Sequence, residues 1–239
     1  MKSIWIWYFC VAFAAVASAQ PASVHIDGRE ALDRLRAGNQ RYLAEQFDLV
    51  RIGKAARARV AESQQPFATV LTCSDSRVPP EIIFSQGLGD LFVVRVAGAV
   101  PDQAVLGSIE YAAEHLHVPL VVIMGHLACG AVKSAMESSP PAKPDPAQAN
   151  IERILSAIRP SLSHAQPQGD KWANAVHASV DQNIDDAIRL SPVLAESVTS
   201  GKVMLVGAVY DLGSGRVDFS KPVERAAGRG KAIEATDGH

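Results

Sequence analysis

Apolar and polar positions along this chain switch between two periods. Phe67 to Thr72 is a short, apolar, β-branched run, the pattern of a strand buried on both faces. Leu91–Val96, Leu120–Met124 and Val203–Val209 repeat it. Between these runs the spacing is helical. Leu106, Ile109, Ala113 and Leu116 share one face of a helix predicted over Ala104–His117, which Pro119 ends. Further helices are predicted from about Cys129, over Asn150–His164 and over Lys171–Leu190. Near the start, Asp27-Gly28-Arg29-Glu30 has the form of a capped helix start, with a carboxylate three residues after the cap. Leu32, Leu35, Tyr42, Leu43 and Phe47 follow at roughly helical spacing, with an interruption expected at Gly38-Asn39. Another helix is predicted over about Gly53–Glu62, and Pro66 closes that region.

Strands alternating with helices imply an α/β fold with a mostly parallel sheet flanked by helices. Asp211–Asp218, with Gly213, Ser214 and Gly215, predicts a terminal hairpin. Ser138–Gln148, rich in Pro, Ala and Ser, reads as a surface loop, and the polar end from about Arg225 as frayed. There is no internal repeat.

Length and charge narrow the picture. At 239 residues, one domain over 20–239 is expected. The net charge is −2 with no long basic run, which excludes a partner that needs clustered Lys and Arg on phosphates, so no nucleic acid is expected. Residues 1–19 differ in kind: Lys2, an apolar run from Ile4 to Val16, then Ala17-Ser18-Ala19. This is the layout of a signal peptide cut after Ala19, and the run is shorter than the ~20 residues of a spanning helix. A periplasmic or secreted protein with no membrane anchor after cleavage is therefore expected.

Cleavage leaves two cysteines, Cys73 and Cys129. Counted alone, two cysteines of an exported protein read as one disulfide. Their neighbours argue otherwise. The strand Phe67–Thr72 runs into Cys73-Ser74-Asp75-Ser76-Arg77, and Leu120–Met124 into Gly125-His126-Leu127-Ala128-Cys129-Gly130. In open parallel sheets, ligands bind beyond the carboxyl ends of strands. Cys73 and His126 both fall there, and Cys129 sits at a helix start, where a thiolate is favoured. Two thiolates and an imidazole suit zinc, and three protein ligands with one open position is the catalytic pattern. The other histidines, at 25, 115, 117, 164, 177 and 239, are isolated. Asp75, beside Arg77, stays ionised and can accept a hydrogen bond from metal-bound water, or swing onto the metal as a fourth ligand.

Cys-x-Asp-x-Arg followed about fifty residues later by His-x-x-Cys resembles the β-class carbonic anhydrases, over about Leu32 to Leu212. The resemblance implies a parallel four-stranded sheet with helices on both sides and an antiparallel C-terminal addition, assembled as a homodimer or homotetramer. It implies one Zn2+ per chain on Cys73, His126 and Cys129, and a catalytic dyad of Asp75 and Arg77. It implies a lyase that reversibly hydrates carbon dioxide to bicarbonate and a proton through zinc-bound hydroxide. Gln64 lies where the bacterial and plant-type branch carries a substrate-binding glutamine. Phe92 and Tyr111 fall at that branch's pocket walls, and Gly130 follows the last ligand. Gln64 read alone could equally cap or solvate a helix end, and Phe92 and Tyr111 could be core residues. Ala99 stands where the family commonly has Asn, with an effect on loop packing or assembly expected.

Another branch resembles a pH switch, in which the aspartate closes the zinc and bicarbonate binds a pocket containing a Trp. Val70 takes that Trp position here, beside Arg95 and Tyr210, and cannot supply an indole N–H. Asp75 is therefore expected to stay with Arg77. The alternatives are hydrolysis of carbon disulfide on the same scaffold, a zinc-storage protein that needs neither Asp75 nor Gln64, and a metal-free disulfide module.

Overall fold

The computed structural model describes residues 26–46, 49–141 and 146–223. The expected signal peptide, Phe47 and the polar end from Arg225 lie outside them.

Five strands form one sheet in the order β2-β1-β3-β4-β5. They are β1 (Ala68–Thr72), β2 (Leu91–Arg95), β3 (Leu120–His126), β4 (Met204–Tyr210) and β5 (Val217–Phe219). The first four are parallel and β5 is antiparallel to β4. The hairpin turn joining β4 to β5 is the one expected over 211–218. Every residue of β1 is buried, as an apolar run without alternation requires when helices cover both faces.

Eight α-helices flank the sheet among the described residues: α1 (Gly28–Leu43), α2 (Lys54–Val60), α3 (Pro80–Ile83), α4 (Gln103–Glu114), α5 (Gly130–Glu137), α6 (Ala149–Leu162), α7 (Lys171–Leu190) and α8 (Pro192–Thr199). One face of the sheet packs Val70, Val122, Met124 and Val206 against Leu32 and Leu35 of α1 and Ile83 of α3. The other packs Leu71, Val121, Ile123 and Leu205 against Ile109 of α4, Val176 and Val180 of α7, and Leu194 of α8. Each such side chain, fully buried, contributes about 1.5–3 kcal/mol.

Asp27 caps α1 as its sequence predicts, its carboxylate accepting from the Glu30 amide at 2.8 Å. The expected interruption of α1 does not occur. The helix runs straight through Gly38 and Asn39, and both are buried. A Cβ on Gly38 would lie 1.8 Å from the Phe84 carbonyl oxygen, so glycine is there for close approach and not for a bend. Asn39 donates to the carbonyls of Ile83 (3.2 Å) and Gly215 (2.9 Å) and accepts from the Val217 amide (3.0 Å). It ties α1 to the loop after α3 and to the β4–β5 hairpin.

Other boundaries also move. β3 continues two residues beyond Met124, because Gly125 and His126 stay paired with Val209 and Tyr210 of β4. The buried face of α4 is Val105, Leu106, Ile109 and Ala112, and Leu116 lies past its end. The sequence reading also has no counterpart for α8. Ser191 and Pro192 look like a chain break, but Ser191 caps α8, accepting from the Leu194 amide at 3.0 Å, and Pro192 takes the first helical position.

Candidate metal centre

β1 and β3 are neighbours in the sheet, with Thr72 level with Met124. Cys73 follows β1 directly, and His126 is the last residue of β3. Leu127 and Ala128 then turn the chain, with Ala128 in the left-handed region at φ 57°. The turn brings Cys129 to the N-cap of α5. The two sulfurs and one imidazole nitrogen all lie within 4.8 Å of one another, and all three residues are buried. Neither cysteine is in a disulfide.

The imidazole is oriented for a metal. His126 Nδ1 lies 2.9 Å from the Leu127 carbonyl oxygen. A carbonyl only accepts, so Nδ1 carries the proton and Nε2 presents a lone pair. Nε2 is buried without a hydrogen-bond partner among the described residues. A buried acceptor left unmatched costs about 1–3 kcal/mol. A cation held between Nε2 and the two sulfurs removes that cost, and the soft N/S donor set matches zinc chemistry.

The sulfurs are electrostatically prepared. They lie within 4.8 Å of one another, and the neighbouring Cys129 thiol, against the opposing effect of burial, lowers the Cys73 thiol to about 4. The nearby backbone of Gly98 and Asp75 acts in the same direction. The Cys73 thiol and burial push Cys129 well up, against the lowering effect of the α5 backbone at Ala131 and Val132. The two thiols therefore titrate as a coupled pair.

Asp75 and Arg77 form a bidentate pair. Arg77 Nε donates to Oδ1 at 2.9 Å and Nη2 to Oδ2 at 2.7 Å, while the Arg77 amide adds a third bond to Oδ1 at 3.0 Å. These side-chain bonds hold the Asp75 carboxyl well below the usual carboxylate range. Oδ2 lies 3.8 Å from His126 Nε2. Oδ2 accepts one bond from Arg77, which leaves it accepting capacity on the cluster side.

Two braces here were not singled out from sequence as supports. Arg95, at the end of β2, donates to the carbonyls of Cys73 (3.1 Å) and Asp75 (2.6 Å) and so fixes the loop between them. Trp172 of α7 donates from its indole to the Cys129 carbonyl at 3.1 Å. An arginine closing a strand beside the cysteine strand was a usable signal for the first. Nothing local marks the second.

The remaining candidate residues sit elsewhere. Phe92 pairs in register with Thr69, four residues, or roughly 13 Å of strand, before Cys73. It is half-buried, and its ring meets that of Tyr111, 47% exposed on α4, with 6.3 Å between centroids. Tyr111 in turn faces His115. Gln64 is exposed on the segment between α2 and β1. Gly130 is exposed at the first residue of α5, and a Cβ there would meet nothing within 4 Å. Ala99 is buried at φ 53°, a backbone conformation that Asn tolerates better than Ala, which gives the family's Asn a backbone reason. Val70 is fully buried, and the Tyr210 hydroxyl contacts that of Tyr42 at 3.2 Å.

Comparison with known proteins agrees with this geometry. The carbonic anhydrase family model matches residues 68–217. A carbonic anhydrase of Mycolicibacterium smegmatis is 38% identical over 186 residues, 77% of this chain and 89% of its own. Carbonic anhydrase 2 of Mycobacterium tuberculosis is 37% identical over 184 residues, 76% of this chain and 87% of its own. The solved β-carbonic anhydrase CcaA superposes with a TM-score of 0.60 at 25% identity, over 82% of this chain and 94% of that one. A Coccomyxa β-carbonic anhydrase, solved with acetazolamide, has the same fold, with a TM-score of 0.62 at 24% identity over 82% of this chain and 84% of that one. With a parallel sheet that carries the Cys-x-Asp-x-Arg and His-x-x-Cys segments to one end, and relatives matched over most of their length, this chain belongs to the β-carbonic anhydrase family.

Proposed function

We propose that this protein is a zinc enzyme that converts carbon dioxide and water to bicarbonate and a proton, and back. The observation that carries the reading is the buried His126 Nε2, without a hydrogen-bond partner among the described residues, beside two thiol sulfurs and 3.8 Å from an ionised carboxylate. Cys73, His126 and Cys129 would hold the ion. Zinc bound there supplies a water acidified toward neutral pH as the nucleophile.

The chain's own residues do the rest. Asp75 Oδ2, ionised and accepting only, takes the O–H of the attacking water and turns its lone pair toward the substrate carbon. Arg77 keeps that carboxylate charged and fixes its plane through two parallel bonds. Arg95 holds the carbonyls on either side of Ser74, so Cys73 and Asp75 keep their spacing. Carbon dioxide is small and apolar and needs few polar contacts. Gln64 is proposed to donate one to a substrate oxygen, and that role rests on its sequence position. Phe92 and Tyr111 are proposed as walls of the substrate pocket, and that role likewise rests on their sequence positions.

Asp75 is further proposed to remain with Arg77 near neutral pH. Its three bonds from Arg77 favour that state, and Val70 offers no donor to an anion that would favour the other. Assembly as a homodimer or homotetramer is proposed as well; relatives of this fold from Sordaria macrospora are described as tetrameric. Residues 1–19 are proposed as an export signal, which would put the activity in the periplasm or outside the cell.

Metal content of variants tests the reading. Cys73→Ser and His126→Ala are expected to purify with little zinc and to lose hydration activity together. Zinc-free variants that keep wild-type activity would overturn it.

A further inference from the structure

The turn that carries Cys129 away from β3 is held by its backbone. The Leu127 amide donates to the Tyr210 carbonyl of β4 at 2.8 Å, and the Leu127 carbonyl accepts from His126 Nδ1 at 2.9 Å. The Cys129 carbonyl accepts from the Lys133 amide at 3.0 Å and from the Trp172 indole, 43 residues on, at 3.1 Å. Between them Ala128 sits at φ 57°, a conformation that a side chain disfavours and that persists where its surroundings hold it. Trp172 is fixed on its own account. Asp170 caps α7, accepting from the Trp172 amide at 2.9 Å and the Ala173 amide at 3.1 Å. Asn174 Nδ2 donates to the carbonyls of Gln166 (2.9 Å) and Gln168 (2.6 Å) just before the helix. The indole packs against the apolar core on that face of the sheet, and the Lys133 ammonium lies 5.2 Å from the centre of its ring.

We infer that Trp172 is a positioning residue for the metal centre: its indole N–H grips the Cys129 carbonyl and so holds the turn that sets the Cys129 sulfur beside His126. The inference rests on the reading of Cys73, His126 and Cys129 as metal ligands. An indole suits the task, because it has one N–H and no acceptor and so holds a carbonyl without competing for a metal. The Lys133 bond cannot replace it. Lys133 belongs to α5, the helix that Cys129 itself caps, and moves with Cys129. The indole bond instead ties Cys129 to a second helix that is anchored separately. Without it, Ala128 is free to leave the left-handed region, and Cys129 becomes the least fixed of the three ligands.

The test uses the full-length protein loaded with zinc or Co(II). Trp172→Phe keeps an aromatic ring beside Lys133 and removes the donor. It is expected to bind zinc roughly 10-fold more weakly in chelator competition. Its Co(II) absorption is expected to lose intensity, because a ligand that detaches part of the time admits water, and Co(II) with more than four ligands absorbs less strongly. Where phenylalanine does not fold, Trp172→Met gives the same two changes, since methionine fills irregular gaps and also lacks the donor. Ile184→Ala, on the same helix and without a bond to Cys129, lowers the melting temperature and leaves affinity and absorption at wild-type values. Trp172 variants with wild-type affinity and absorption, or an Ile184→Ala protein that shows the same two changes, would overturn the inference while leaving the metal centre standing. A wild-type protein that takes up neither metal would instead overturn the metal centre itself.

Discussion

Replacing Asn39 with alanine removes a side chain that is 3% exposed and makes three hydrogen bonds to backbone from two other parts of the fold. The carbonyls of Ile83 and Gly215 lose a donor and the Val217 amide loses its acceptor. Each buried polar group left unmatched costs about 1–3 kcal/mol. Water can reach the half-buried Val217 amide, which relieves part of the sum, so about 3 kcal/mol of destabilisation is expected. For a chain of this size that lowers the melting temperature by roughly 6–12 °C. Calorimetry at one fixed protein concentration reads it, since any assembly makes the value concentration-dependent. Gln40→Ala, one residue on and exposed, is the control and should shift the temperature little. A fall of less than about 2 °C in Asn39→Ala would refute the account of α1 as a helix pinned at its middle by a buried amide.

Asp75→Asn is expected to keep zinc and to lose hydration by roughly 100-fold, because the amide nitrogen donates where only acceptance is useful; stopped-flow turnover of a zinc-loaded variant checks it. The folded Asp75 carboxyl lies below its unfolded value, chiefly through the Arg77 side-chain bonds, so its stabilisation is complete above the unfolded value and lost as pH falls through the folded one. The melting-temperature gap between wild type and Asp75→Asn should therefore hold steady above about pH 5 and narrow below about pH 4; a gap that widens in acid contradicts this. Mass spectrometry of the exported protein is expected to find Gln20, or its cyclised form, at the N-terminus; Met1 retained on cytoplasmic protein contradicts the proposed signal.

Much of the fold could be read before any coordinates, because a parallel sheet covered on both faces leaves a coarse signal. Val70, Leu71, Val121, Val122, Leu205 and Val206 sit in unbroken apolar runs. Few alternatives share that pattern. Turns and close approaches were less readable. Gly38-Asn39 looks locally like a break, since glycine and asparagine both disfavour helix interiors, and only the distant Phe84 carbonyl and the β4–β5 hairpin explain them. The same holds at Ser191-Pro192, where a break and a capped restart have one composition.

The candidate centre divides the same way. Cys73, Asp75, Arg77, His126 and Cys129 are close in sequence to strand ends, so strand pairing alone predicts their meeting. Trp172 reaches the centre from a helix far along the chain.

The central claim is tested most directly by titrating zinc into the metal-free, reduced protein while following carbon dioxide hydration by stopped flow. The account predicts no appreciable hydration at the start, then a linear rise that breaks at about one zinc per chain, with no rise in Cys73→Ser. Hydration that is full before zinc is added, or that ignores it throughout, would contradict the account.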